Sequence, residues 1–192
     1  MKRFTLAIGV LGLAASLAGA QTSTWAVDPA HSEVDFGIKH MGLSTVRGHF
    51  NNVKGTVVYD AANISKSSVN VTIDVSTVDT GNSARDTHLK TDAFFDAAKI
   101  PTATFASTSV TKSGTHLTVA GNLTLHGVTK PVTLDVDAST TPMESPMDHK
   151  THTGFSATTT IKRTDFNIGA SFPTAAVGDD VQLTIDMEAI KQ

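Results

Sequence analysis

Val69, Val71, Ile73 and Val75 alternate with Asn70, Thr72, Asp74 and Ser76, and a period of two recurs along most of the chain. Successive side chains of a strand point to opposite faces, so this pattern buries one face and wets the other. The same alternation marks 31–40 (Val34, Phe36, Ile38), 45–59 (Val53, Val57, Tyr59), 102–110, 117–125, 132–138 and 152–162. It closes with Val181, Leu183, Ile185 and Met187, while Trp25 to Pro29 reads as a short edge piece. Lys112-Ser-Gly114 and His126-Gly127 read as hairpin turns, Gly121 and the glycines of 45–59 as bulges or sharp coiling, and 140–150 as a surface loop. About eight strands joined mainly by hairpins predict an all-β fold, an eight-stranded antiparallel up-and-down barrel of the lipocalin-like kind.

One stretch breaks the pattern. Ser83 followed by Asp86 is a capping-box signal, Thr91 or Asp92 can cap a second turn, and Pro101 stops the run, so 83–101 predicts two short helices as a crossover. Phe94 and Phe95 are adjacent, which sends one toward the interior and the other toward a rim.

Residues 1–20 join a positive start (Lys2, Arg3) to an apolar run and the small residues Ala18-Gly-Ala20. This is the pattern of a cleaved secretory signal peptide, leaving 21–192 as one domain. There is no cysteine, hence no disulfide, thiolate metal site or lipid anchor. The outward positions are Thr, Asn, Asp, Ser and Lys, and one Trp with one Tyr makes no aromatic girdle, which argues against a barrel spanning an outer membrane. A formal net charge of −3 with scattered lysines argues against nucleic acid as partner. No nucleophile elbow, phosphate-cradling loop or His-Glu-x-x-His motif is present, so no enzyme activity, cofactor or metal is expected. His149 and His152 would clasp a metal only on a helical turn, and their flanks read as loop then strand.

The inward positions are mostly Val, Ala and Ile, with large aromatics confined to Phe36, Phe50, Phe105 and Phe155, which leaves the bore of an eight-stranded barrel underfilled. An underfilled apolar bore suits a slim apolar guest.

The runs Trp25-Ala-Val-Asp-Pro-Ala-His-Ser-Glu-Val-Asp-Phe36, Ile38-Lys-His-Met-Gly-Leu-Ser-Thr-Val-Arg-Gly-His-Phe50, Arg85-Asp-Thr-His-Leu89, Asp92-Ala-Phe-Phe-Asp96, Pro101-Thr-Ala-Thr-Phe105, Gly121-Asn-Leu-Thr-Leu-His-Gly-Val-Thr-Lys-Pro131 and Arg163-Thr-Asp-Phe166 together resemble the YceI-like family. One departure is Asn167-Ile168, where relatives commonly carry a glycine. The resemblance implies a periplasmic, lipocalin-like barrel that holds a long apolar lipid such as a polyisoprenoid, an isoprenoid quinone or a fatty-acid derivative, as carrier or reservoir. The other readings are a structural or interaction barrel with a filled core, and a lipid-modifying enzyme.

On this reading Phe36, Ile38, Phe50, Leu89, Phe94, Phe95, Phe105 and Phe155 receive the tail, and Arg47, Arg85, Arg163, His40 and His88 form a rim that meets a headgroup. The competing reading makes the same aromatics ordinary core, and only an elongated void between them departs from it. The competing reading, favoured over the headgroup role, makes the arginines structural ion-pair partners of Asp35, Asp86 or Asp165. Transient membrane contact, and a monomer or homodimer, complete the expectations.

Overall fold

The computed structural model describes residues 22–138 and 141–192; the expected leader at 1–20 and Thr140 lie outside the described residues. Alternation becomes strand at β1 (Ser23–Val27), β2 (Glu33–His40), β3 (Ser44–Phe50), β4 (Lys54–Tyr59), β5 (Ser68–Asp74), β6 (Thr102–Ser113), β7 (His116–Leu125), β8 (Val128–Asp137), β9 (Met143–Glu144), β10 (Thr151–Lys162) and β11 (Val177–Lys191). These form eight staves of a closed antiparallel barrel. β1 and β2 lie end to end along β11, and β3 and β4 run end to end beside them. Then β5, β6, β7, β8 and β10 follow in order until β10 meets β11 over the long register from His152↔Ile190 to Lys162↔Asp180. The expected up-and-down barrel is therefore what forms.

The two compound staves explain features that alternation does not show. Between β3 and β4 the chain turns at Asn52, whose φ of 59° is a left-handed value that asparagine tolerates. Gly48 and Gly55, expected as bulges or sharp coiling, mark close approaches of neighbouring segments. A Cβ on Gly48 would lie 2.6 Å from the Asp79 carbonyl and 2.7 Å from the Phe36 ring, and one on Gly55 would strike β5 at Val71. The bulge near Gly121 belongs to the opposite strand, where the β6 register slips between Ser107 and Ser109. His126 and Gly127 (φ 50° and 74°) form the tight β7–β8 turn, as expected.

The crossover holds one helix, α1 (Ser83–Leu89). Its N-cap is Asn82, one residue before the expected Ser83, and the Asn82 side chain accepts from the Arg85 amide. Asp86 does not close a capping box; it accepts from the Thr80 amide and hydroxyl at 2.9 and 2.5 Å. In place of a second helix the chain makes tight turns, with the Thr91 carbonyl accepting from both Phe94 and Asp96. The expected loop at 140–150 carries the two-residue strand β9, paired to Thr151 and His152.

The largest set of buried side chains, around Phe94, Phe105, Leu123, Ile161 and Phe166, joins the barrel wall to the segment 163–176. Phe166 is 1 % exposed, a burial worth about 1.5–3 kcal/mol. It ends a 3-10 turn, Arg163–Phe166, after which Asn167 takes φ 58° and ψ 19°. Asparagine is the residue besides glycine that most readily visits that region, so the chain makes a left-handed turn here without a glycine.

Candidate functional site

A cavity of about 140 Å³ lies inside the barrel at the end covered by α1, the 90–100 turns and the 163–176 segment. Its wall draws Val34, Phe36 and Ile38 from β2, Phe50 from β3, Ile73 from β5, Leu123 and Leu125 from β7, and Val181 and Leu183 from β11. The crossover adds Leu89, Phe94 and Phe95. Both phenylalanines reach the cavity, although adjacency had suggested that only one would. Phe95 stands edge-on to Phe50 with centroids 5.4 Å apart, while Phe94 stacks on Phe172 at 5.1 Å. The turns between α1 and Pro101 make this possible, because they aim consecutive side chains into one space in a way that a continuous helix does not.

Among the described residues, two smaller apolar voids continue from the cavity down the bore, each sharing wall residues with the one before it. A second, of about 60 Å³, shares Val34, Ile73, Leu123 and Leu183 with the first and adds Phe105. A third, of about 50 Å³, shares Val69, Leu134, Ile185 and Met187 with the second and adds Phe155. Phe36, Ile38, Phe50, Leu89, Phe94 and Phe95 thus meet around the first void, whereas Phe105 and Phe155 stand deeper, each beside its own void. Ile73, Leu123, Ile161, Val181 and Leu183 also line the cavity, beyond the residues expected to meet a tail, and the inward phase of the alternation is the signal that marks them.

Among the described residues, Arg163 is the one charged member of the cavity wall, and it is 2 % exposed. Its Nε donates to the Gly178 carbonyl at 2.9 Å, Nη1 to Ile168 and Gly169 at 2.9 and 2.6 Å, and Nη2 to Phe172 and Val177 at 2.7 and 3.0 Å. A guanidinium has five N–H groups, and all five are used. None remains for a headgroup, and the partners are carbonyls, not the carboxylate of Asp165. Arg163 instead fastens the 163–178 segment over the cavity. Gly169 allows this close approach: its φ is 58°, and a Cβ there would lie 2.8 Å from the Phe94 ring.

The other rim candidates scatter. Arg85 donates from Nε to the Thr80 hydroxyl and from Nη2 to the Thr80 carbonyl, so it meets Asp86 through Thr80 and holds the start of α1. Arg47 is exposed in a shallow outer groove with Asp35, His49 and Asp79. His40 is exposed at the end of β2. His88 is exposed yet edge-on to the cavity-lining Phe94 at 5.1 Å and to Phe172 at 6.0 Å, which sets an imidazole against the outer side of the cavity wall.

A separate polar cluster occupies the outer wall. His31 bonds Asp28 at 2.9 Å, and Asp28, His31 and Glu188 bring ligand-type atoms within 4.8 Å of one another. His152 Nδ1 lies 2.5 Å from Glu188, and its Nε2 lies 3.2 Å from Asp148. His149 faces Glu144 at 3.7 Å, whereas His152 is held by Glu188 and Asp148. The hydrogen bond to Glu188, helped by Asp148 against the cost of desolvation, raises the His152 pKa above 6.5. The Lys150 amide, opposed by desolvation and helped by His152, lowers the Asp148 carboxyl to about 2.

The signs follow from linkage. The raised imidazole stabilises the clamp fully below about 6.5 and ceases to do so as pH rises through its folded value. The depressed carboxyl contributes above its ordinary value and is lost as pH falls through about 2. We expect the amide resonances of Met147 and Lys150 to titrate together with the His152 ring above pH 6.5, and to stop doing so in His152→Asn. Resonances that stay flat while the ring titrates would show that the clamp does not hold this loop.

Comparison with known proteins agrees with the barrel. The chain is 39 % identical to Protein YceI of Salmonella arizonae over the full length of both. It overlays the Burkholderia cenocepacia protein BcnA with a TM-score of 0.73 at 28 % identity, covering 84 % of this chain and 98 % of that one. A polyisoprenoid binding domain from Saccharophagus degradans shares the fold at 16 % identity and a TM-score of 0.59, covering 88 % of this chain and 98 % of that domain. The model of the YceI-like domain matches residues 25–189, from the tryptophan of β1 to the alanine buried near the end of β11, and the chain accordingly belongs to the YceI-like family.

Proposed function

We propose that this protein is a binding protein, not an enzyme, that holds one long, slim apolar lipid along the bore of its barrel as carrier or reservoir. The observation that carries this reading is the row of three apolar voids that share walls. An apolar void of about 150 Å³ stays dry and accepts an apolar guest, so the first chamber is ready for one end of a chain. The necks beyond it are formed by aliphatic side chains, Ile73, Leu123 and Leu183 and then Val69, Leu134 and Ile185, which yield by rotamer changes rather than by breaking hydrogen bonds. Phe36, Ile38, Phe50, Leu89, Phe94 and Phe95 hold the tail in the first chamber, with Phe105 and Phe155 further down. His88, standing against the cavity rings, takes the polar end in preference to Arg163. The fold relative that binds polyisoprenoid supports a branched isoprenoid chain as the guest class.

Each methylene removed from water stabilises the complex by about 0.8 kcal/mol, ample for a chain of a dozen carbons. Exchange with a membrane is apolar to apolar, so shape decides what is retained. The N-terminal pattern supports secretion to a periplasm, with 21–192 as one binding domain. The test is native mass spectrometry and organic extraction of purified protein, followed by titration with polyprenyl alcohols and fatty alcohols. Saturable binding of one molecule per chain is expected. A protein that neither carries nor takes up any such molecule refutes the reading, and chemical change in the bound lipid would make it an enzyme.

A further inference from the structure

The β2–β3 hairpin ends in Met41-Gly42-Leu43, with Met41 57 % and Leu43 83 % exposed. Nothing in the fold calls for large apolar side chains there. The tip turns through left-handed backbone at Met41 (φ 53°) and Gly42 (φ 70°), and methionine is a poor residue for the first of these. A strained position occupied by an ill-suited, exposed residue points toward function.

The tip adjoins the cavity in two ways. Ile38, three residues before Met41, lines it, and so does Val177, the β11 partner of His40. The Met41 amide also donates to the Ala176 carbonyl at 2.9 Å, which ties the tip to the segment that Arg163 fastens over the cavity. Lys39 and His40, both exposed, immediately precede it on β2. Two apolar side chains on a narrow tip fall far short of the roughly 800 Å² per partner of a stable protein interface. They suit a bilayer, which accepts single apolar side chains below a cationic neighbour that meets anionic headgroups.

We propose that the Met41–Leu43 tip docks the protein on a phospholipid bilayer and so brings the covered end of the barrel to the surface from which its lipid is loaded. This rests on the lipid-binding reading above, and the experiment separates the two.

A pyrene-labelled long-chain alcohol is offered to wild type and to the double variant Met41→Ser, Leu43→Ser by two routes. It is dispersed from ethanol, or preloaded in vesicles of phosphatidylethanolamine with a minority of phosphatidylglycerol. Neither residue lines the cavity, so the variant binds the dispersed probe as tightly as wild type. From vesicles, its transfer is slower by about tenfold or more, the effect of removing two apolar anchors from the surface-bound state. Equal transfer rates overturn the docking role while leaving binding intact. A variant slow by both routes assigns the tip to binding rather than docking. A wild-type dimer that the variant dissociates assigns it to a second copy. Either result overturns the proposal, and failure of both proteins to bind the probe by either route overturns the lipid-binding reading itself.

Discussion

Arg163→Leu loses about 3–5 kcal/mol of unfolding free energy, because it strips the donors from five carbonyls in or beside the core at once. Each buried acceptor left unpaired costs about 1–3 kcal/mol, and the sum is not reached because the 163–178 segment relaxes and admits water. Arg163→Lys falls between the two, since an ammonium brings at most three donors and no planar fork. Urea unfolding monitored by the single tryptophan, Trp25, buried at the far end of the barrel, reads the global effect. A loss below about 1 kcal/mol would mean that water replaces the guanidinium at little cost, and that this segment is not fastened by it.

The second large effect concerns chain length. Leu183 belongs to both the first and second voids, so Leu183→Trp fills the neck between them. The stability change stays within about 1–3 kcal/mol, the usual range for overpacking beside a void. Binding should divide by size. A short alcohol that needs only the first chamber binds as before, while a chain that must pass the neck loses contact along about four methylenes, roughly 3 kcal/mol or a hundredfold in affinity. Isothermal titration over a series of alcohols checks this. Uniform weakening at every length, or none at any, would mean that the guest does not run down the bore.

The barrel was legible because its cause is local: Val69, Val71 and Ile73 state their face whatever lies across from them. The staves were less so, since β1 and β2 read as an edge piece and a strand and only their shared partner β11 makes them one line. The second helix was misread because Thr91, which looked like a cap, uses its carbonyl for two amides and its hydroxyl for the His88 carbonyl. At the site, the aromatics announced themselves by size. The cavity is a deficit of volume among side chains from separate strands, which no stretch of sequence displays. The partners of Arg163 are backbone oxygens, and these carry no residue signature at all.

The long strand β11 borders β1, β2 and β10, yet it is the last element along the chain. Until it arrives, the ladder edges of its three neighbours stay open, and the bore cannot shut. Shutting the tube therefore waits on pairings between strands far apart along the chain, which carry the largest loop-closure cost, whereas each hairpin needs only its neighbour.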